Sequence, residues 1–151
     1  MSNDRKIIGV IGAGRADAAT EQAAEAVGKL IAHNGALLVC GGLGGVMEAA
    51  ARGAKSAGGW TVGILPQTNR REANAFIDIP IATGFGEGRN VFIVRSADVL
   101  IAVGGEYGTL SEIAFALKSG KPVIGLGTWD IDGIRKAETP KEAVDLALML
   151  A

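Results

Sequence analysis

Two carboxylates, a threonine and three glycines share the ten residues VGGEYGTLSE at 103–112, directly after an apolar run and directly before a helical one. Glycine lets main-chain amides approach an anion closely, and the start of a helix adds the positive end of its dipole. A glutamate beside the bound anion can then do chemistry. In this stretch Glu112 is the glutamate so placed. Read in the first turn of the helix, it feels the positive dipole end, which favours the ionised form and suits a base or electrostatic stabiliser. The same spacing has a structural reading as well: Thr109-x-x-Glu112 has the form of a capping box, in which the threonine oxygen accepts from the amide at 112 and the glutamate reaches back.

Main-chain amides alone do not hold a phosphate tightly. A helix end contributes ~0.3–1 kcal/mol to a bound charge, whereas micromolar affinity requires about 8 kcal/mol. A cation is wanted, and Arg89, in GEGRNVFIVRSAD, opens the helix that leads to the Val99 strand. A guanidinium there can grip a phosphate in a bidentate way, or it can be a surface group paired with Glu87.

Three glycine loops stand at the ends of apolar runs: GAGR with Gly12, Ala13 and Gly14; GGLGG with Gly41, Gly42 and Gly44; and GGEYGT with Gly104, Gly105, Gly108 and Thr109. The common nucleotide fingerprints do not fit them. Gly12-x-Gly14 is followed by Asp17 where a dinucleotide site has its third glycine, and the second apolar run ends in Cys40, not in an acid for a ribose hydroxyl. Gly120-Lys121 is followed by Pro122, which has no hydroxyl for magnesium, so the chain has no Walker loop. With one histidine and one cysteine there is no protein-built transition-metal site and no Ser-His-Asp or Cys-His centre. His33 reads as a cation at a helix C-terminus and Cys40 as packing. Tyr107, Trp60 and Trp129 adjoin apolar strands or turns and read as packing rings. Glu106 leaves two readings, a loop tip facing solvent or a charge that rejects a second phosphate.

These loops have to be carried by strands. Apolar runs recur at Lys6–Ile11, Ala36–Cys40, Thr61–Leu65, Phe76–Ile81, Val99–Val103 and Pro122–Leu126, which predicts six strands. Helical spacing fills Ala18–His33, Val46–Ala57, Arg89–Ala97, Thr109–Ser119 and Lys141–Leu150. Runs such as KIIGVI and VLIAV are apolar on both faces, as in parallel strands covered on both sides. The order predicts a doubly wound, mainly parallel sheet with helices on both faces, a three-layer α/β fold whose ligand sits beyond the strands' carboxyl ends. Asp17 or Thr20 caps the first helix, Asn34-Gly35 ends it, Gly58-Gly59 closes the second, and Thr139-Pro140 opens the last. The polar stretch Gln67–Ala75 is long enough for a flap or a plain connection.

Together these residues resemble the Rossmann-like superfamily of the Lonely Guy phosphoribohydrolases, long labelled lysine decarboxylases, and the molybdenum cofactor carrier proteins. The hydrolases carry a PGGxGTxxE motif preceded by an Arg-Lys pair, and GRNVFIVRSADVLIAVGGEYGTLSE keeps that spacing. The resemblance places Arg89 and Glu112 on the hydrolases' functional positions and Gly105, Gly108 and Thr109 on the loop; VCGGLGGVMEAA matches the other glycine-rich loop and its helix. Two departures, Gly104-Gly105-Glu106 for Pro-Gly-Gly and Asn90 for the lysine, bring the chain closer to the carrier and uncharacterised branch.

Composition bounds the rest. At 151 residues with 48% hydrophobic content, the chain is expected to be one nucleotide-binding domain over 1–151. A net charge of -1 and a pI near 5.8 argue against nucleic acid as a partner, and Arg70-Arg71 reads as a solvated loop. The polar start MSNDRK and the absence of a long apolar stretch predict a cytoplasmic protein with no membrane partner. Ala-rich helices and a mean hydropathy of +0.30, with the resemblance, imply a homodimer or higher homo-oligomer. The expected ligand is a small phosphorylated molecule, a nucleotide or a molybdopterin-type cofactor, with no further cofactor required. It is either carried or, as a nucleoside 5′-monophosphate, cleaved to free base and ribose 5-phosphate.

Overall fold

The computed structural model describes residues 4–151; the first part of the polar start, residues 1–3, lies outside the described residues. Its strands are β1 (Ile7–Gly12), β2 (Leu37–Cys40), β3 (Thr61–Leu65), β4 (Ile79–Ala82), β5 (Val99–Val103), β6 (Val123–Leu126) and β7 (Arg135–Ala137). The helices are α1 (Ala18–His33), α2 (Val46–Ser56), α3 (Asn90–Ser96), α4 (Tyr107–Lys118) and α5 (Pro140–Leu150). Short 3-10 turns occupy Arg70–Glu72 and Gly86–Arg89.

The strands form one sheet in the order β4-β3-β2-β1-β5-β6-β7, and every pairing is parallel. Parallel neighbours require a covered crossover, which puts helices on both faces. One apolar layer joins β1, β2, β5 and β6 to α1, α2 and α5 through Val10, Leu38, Ile101, Ile124, Val27, Ala50 and Val144. The other face packs Ile11, Val39, Leu100 and Val123 against Ile93 of α3 and Ile113 of α4. The expected three-layer, doubly wound fold is therefore present.

The expected six strands become seven. β7 is three residues long, reads RKA, and leaves its first two side chains exposed at the sheet edge, so it has no hydrophobic pattern to find. β4 begins at Ile79, not at Phe76: Asn74 Oδ1 accepts from the Phe76 amide and Thr61 Oγ1 donates to the Phe76 carbonyl, which holds that segment in a turn. Helix punctuation follows expectation. Asp17 caps α1 by accepting from the Thr20 amide at 2.8 Å, Thr139 caps α5, and Gly35 and Gly58 take positive φ after α1 and α2. α1 and α2 touch backbone to backbone, because a Cβ on Gly28 would stand 1.9 Å from the Ala50 carbonyl oxygen.

β1 lies between β2 and β5, and the chain winds in opposite directions on its two sides. That reversal leaves a crevice at the strands' carboxyl ends, where the β1, β2 and β5 loops emerge.

Candidate functional site

The crevice is a cleft of about 360 Å³. Gly12, Ala13 and Gly14 line it from the β1 loop, Gly41 from the β2 loop, Arg89 from the 3-10 turn before α3, and Gly108, Thr109 and Glu112 from α4. Leu43, Met47, Pro66 and Ile93 add apolar wall, and Glu87, Asn90 and Glu106 add polar groups. Sequence reasoning had not placed the apolar four in a site, since no glycine or charge marks them.

Four of the expected binding residues do not line this cleft and instead shape its loops. Gly42 has φ +77°, and a Cβ there would meet Leu65 at 2.6 Å. Gly44 packs near the Gly14 carbonyl oxygen, 3.2 Å from where a Cβ would lie. Gly105 has φ +107° and sits against Thr109, and Gly104 opens into a different hollow with Thr20 and Gly127. Gly12 lines the cleft but is also required by packing, since a Cβ would stand 2.6 Å from Val46.

The capping box is not formed. The positive-φ pair Gly104 and Gly105 turns the chain early, α4 begins at Tyr107, and Glu106 is the N-cap with no side-chain bond to the helix. Thr109 is thereby the third helical residue, and Glu112 falls in the second turn, outside the expected dipole position. The first amides of a helix have no intrahelical acceptor, so those of Tyr107, Gly108 and Thr109 are left for another partner. The loop before them is held in place: Trp129 Nε1 donates to the Glu106 carbonyl at 3.1 Å, and Thr128 Oγ1 donates to the Gly104 carbonyl.

The electrostatics of Glu112 also differ from the sequence expectation. The side chain is buried, and this desolvation pushes its carboxyl up to about 7, with the positive charge of Arg89 pulling the other way. Both protonation states are then accessible near neutrality, so an acid role is as open to Glu112 as a basic one.

Arg89 is only 8% exposed, and no surface ion pair with Glu87 forms. Burial lowers its pKa, opposed by the nearby Glu112. One terminal nitrogen donates to Asn90 Oδ1, while buried Nε has no partner. Gly41 makes room for the group, because a Cβ at 41 would stand 2.7 Å from an Arg89 terminal nitrogen. Arg89 and Glu112 face the same cleft without forming a direct ion pair. A buried guanidinium lining the same cleft as the first residues of a helix is an arrangement suited to an anion.

Other sequence expectations are placed as follows. Cys40 is buried, and desolvation pushes its thiol up to about 11, far from a nucleophile's range. Among the described residues no group of His, Cys, Asp or Glu is arranged to hold a metal ion, and no helix is long and apolar enough to cross a membrane. Of the three expected packing rings only Trp129 packs against the core; Tyr107 is 80% and Trp60 54% exposed, and Tyr107 stands 5.9 Å from Trp129 between ring centroids. The Gln67–Ala75 stretch is anchored at its end, where the Asn74 amide donates to the Gly42 carbonyl and its side chain to that of Leu43.

Known proteins resemble this chain in sequence and in structure. An uncharacterized protein of Archaeoglobus fulgidus is 56% identical over 142 residues, 93% of each chain. The cytokinin riboside 5′-monophosphate phosphoribohydrolase of Mycobacterium tuberculosis is 37% identical over 126 residues, 76% of this chain and 66% of that one. Among solved structures, the molybdenum cofactor binding protein of Rippkaea orientalis superposes with a TM-score of 0.93 at 41% identity, covering 98% of both chains. The molybdenum cofactor carrier protein of Chlamydomonas reinhardtii gives 0.86 at 38% identity, covering 97% of this chain and 98% of that one. Residues 5–149 match the SLOG cluster4 family over nearly the whole chain, and the protein belongs to that family.

Proposed function

We propose that the protein binds and carries a small phosphorylated molecule of the molybdopterin type, held in the cleft at the carboxyl ends of β1, β2 and β5. The observation that carries this reading is the buried Arg89, its Nε unpartnered, opening on the same cleft as the α4 amino terminus. One guanidinium and one set of free amides match a single phosphate ester. The phosphate sits between Arg89, the amides of Gly108 and Thr109, and the Gly12–Gly14 loop, while Leu43, Met47, Pro66 and Ile93 bound the organic part. The volume of about 360 Å³ falls within the range of small-molecule sites, about 300–1,000 Å³. The likeness to cofactor binding and carrier proteins supports the choice of ligand.

A second reading is favoured by one feature, the Glu112 carboxyl raised to about 7 beside Arg89. On it the protein is a nucleoside 5′-monophosphate phosphoribohydrolase: Arg89 positions the phosphate, and Glu112 stabilises the ribose charge and moves the proton. The likeness to the mycobacterial enzyme supports it.

Incubation with nucleoside 5′-monophosphates and with pterin-type cofactors, reading both retention and cleavage, separates the two. A carrier retains ligand and releases no product; the hydrolase releases free base and ribose 5-phosphate. Retention of none of these ligands, with no cleavage, refutes both. We further take residues 1–151 as one nucleotide-binding domain that assembles as a homodimer or higher homo-oligomer. The exposed Ile79, Ile81, Phe85 and Phe92 supply an apolar surface for assembly. Sedimentation as a monomer at micromolar concentration would refute the assembly.

A further inference from the structure

The cleft that is read here as a phosphate site is lined by three carboxylates, Glu87, Glu106 and Glu112, and by one guanidinium, Arg89. Glu112 lies buried on α4 near Arg89, but Glu106 is exposed at the mouth, immediately before the free amides of the α4 amino terminus. The fold gives no reason for a glutamate there. An N-cap favours Ser, Thr, Asp, Asn or Gly, whose side chains or small size suit the first turn, and the Glu106 side chain makes no capping bond. Its carboxylate enters no ion pair and no side-chain hydrogen bond among the described residues. Only its backbone is engaged, the carbonyl accepting from Trp129 Nε1 and from the Leu110 amide, and this fixes where the side chain departs.

We propose that Glu106 is a specificity residue that restricts the cleft to ligands bearing a single phosphate group, with Glu87 acting in the same sense. The inference rests on the phosphate-binding reading above. One phosphate is matched by Arg89 and the helix amides. A second phosphate adds negative charge to a cleft whose charged lining residues besides Arg89 are Glu87, Glu106 and Glu112, and that lining offers no further cation to receive it. A like charge ~6 Å away, in a medium between bulk water and a protein surface, weakens binding about tenfold per added unit charge.

The test compares adenosine 5′-monophosphate with adenosine 5′-diphosphate by calorimetric titration of the full chain, with EDTA present so that no divalent cation masks the second phosphate. The wild-type protein is expected to favour the monophosphate by about tenfold, and the preference is expected to shrink when ionic strength rises toward ~0.5 M. Glu106→Gln keeps size and backbone but removes the charge, and should bring the preference down by about tenfold. A preference unchanged in Glu106→Gln, or insensitive to salt, overturns the charge role of Glu106. Equal wild-type affinity for both nucleotides overturns the inference while leaving phosphate binding intact. Binding of neither nucleotide refutes both the inference and the nucleotide form of the reading on which it rests.

Discussion

Glu112 offers the sharpest test of the electrostatics, through replacement by glutamine. Its carboxyl is held at about 7 by burial, against 4.5 for an unburied group. Below 4.5 the group is protonated both folded and unfolded and contributes nothing to pH dependence. Between 4.5 and 7 the unfolded chain ionises while the folded protein keeps its proton, so stability falls as pH rises. Above 7 both states are ionised and the loss is constant. At ~1.4 kcal/mol per pKa unit, the full effect is about 3 kcal/mol. Glu112→Gln removes the ionisation and keeps the shape. The variant should therefore match the wild type near pH 4.5 and exceed it by about 3 kcal/mol at pH 8. Urea unfolding at pH 5, 6, 7 and 8 measures this, because urea does not screen charge. A difference that stays flat across pH, or a Gln variant weaker than the wild type at pH 8, would refute the claim that Glu112 is a desolvated carboxyl.

Three further perturbations follow from the geometry. Arg89→Met removes the buried charge with its unpartnered Nε, and should weaken 5′-monophosphate binding at least ~10-fold in equilibrium dialysis, since a charged hydrogen bond is worth ~1.5–3 kcal/mol. Gly41→Ala places a Cβ 2.6 Å from Met47 Sδ and 2.7 Å from an Arg89 nitrogen; both are ends of flexible side chains, so monophosphate affinity should fall ~10-fold while the melting temperature changes by only a few degrees. Gly28→Ala sets a Cβ 1.9 Å from the Ala50 carbonyl oxygen, a backbone atom that cannot yield, and should cost ~3 kcal/mol or more, read as a drop of ~10 °C in thermal melting.

The pairing of Gly41 with Arg89 shows how the loops and the cation depend on each other. A guanidinium can be buried here only because the β2 loop presents no side chain toward it. Its desolvation is opposed by the Glu112 charge, and both groups stay in the cleft without closing on one another. A dianionic ligand seated between them is expected to draw a proton onto Glu112, which titration calorimetry in buffers of different ionisation enthalpy would detect as proton uptake near pH 7. The absence of buffer dependence would show that the ligand does not lie beside Glu112.

Periodicity and punctuation determined the layered α/β architecture of this protein, short of the edge strand β7 and the start of β4. Runs apolar on both faces, alternating with helical spacing, admit only covered parallel strands, and the caps at Asp17 and Thr139 stand where local chemistry put them. The three glycine loops, and Arg89 and Glu112 as candidates beside them, could also be picked out in one dimension, whereas the switch point came only with the strand order. What the sequence could not carry was burial and the start of α4. The motif Thr109-x-x-Glu112 is locally a capping box, yet two positive-φ glycines begin the helix at Tyr107 and turn both side chains inward. Desolvation then turned the expected downward shift of Glu112 into an upward one, because a carboxyl's environment is set by atoms from distant parts of the chain. The same holds for the glycines: Gly41 borders the cleft and Gly42 a leucine, a distinction that depends on which neighbours the sheet brings near.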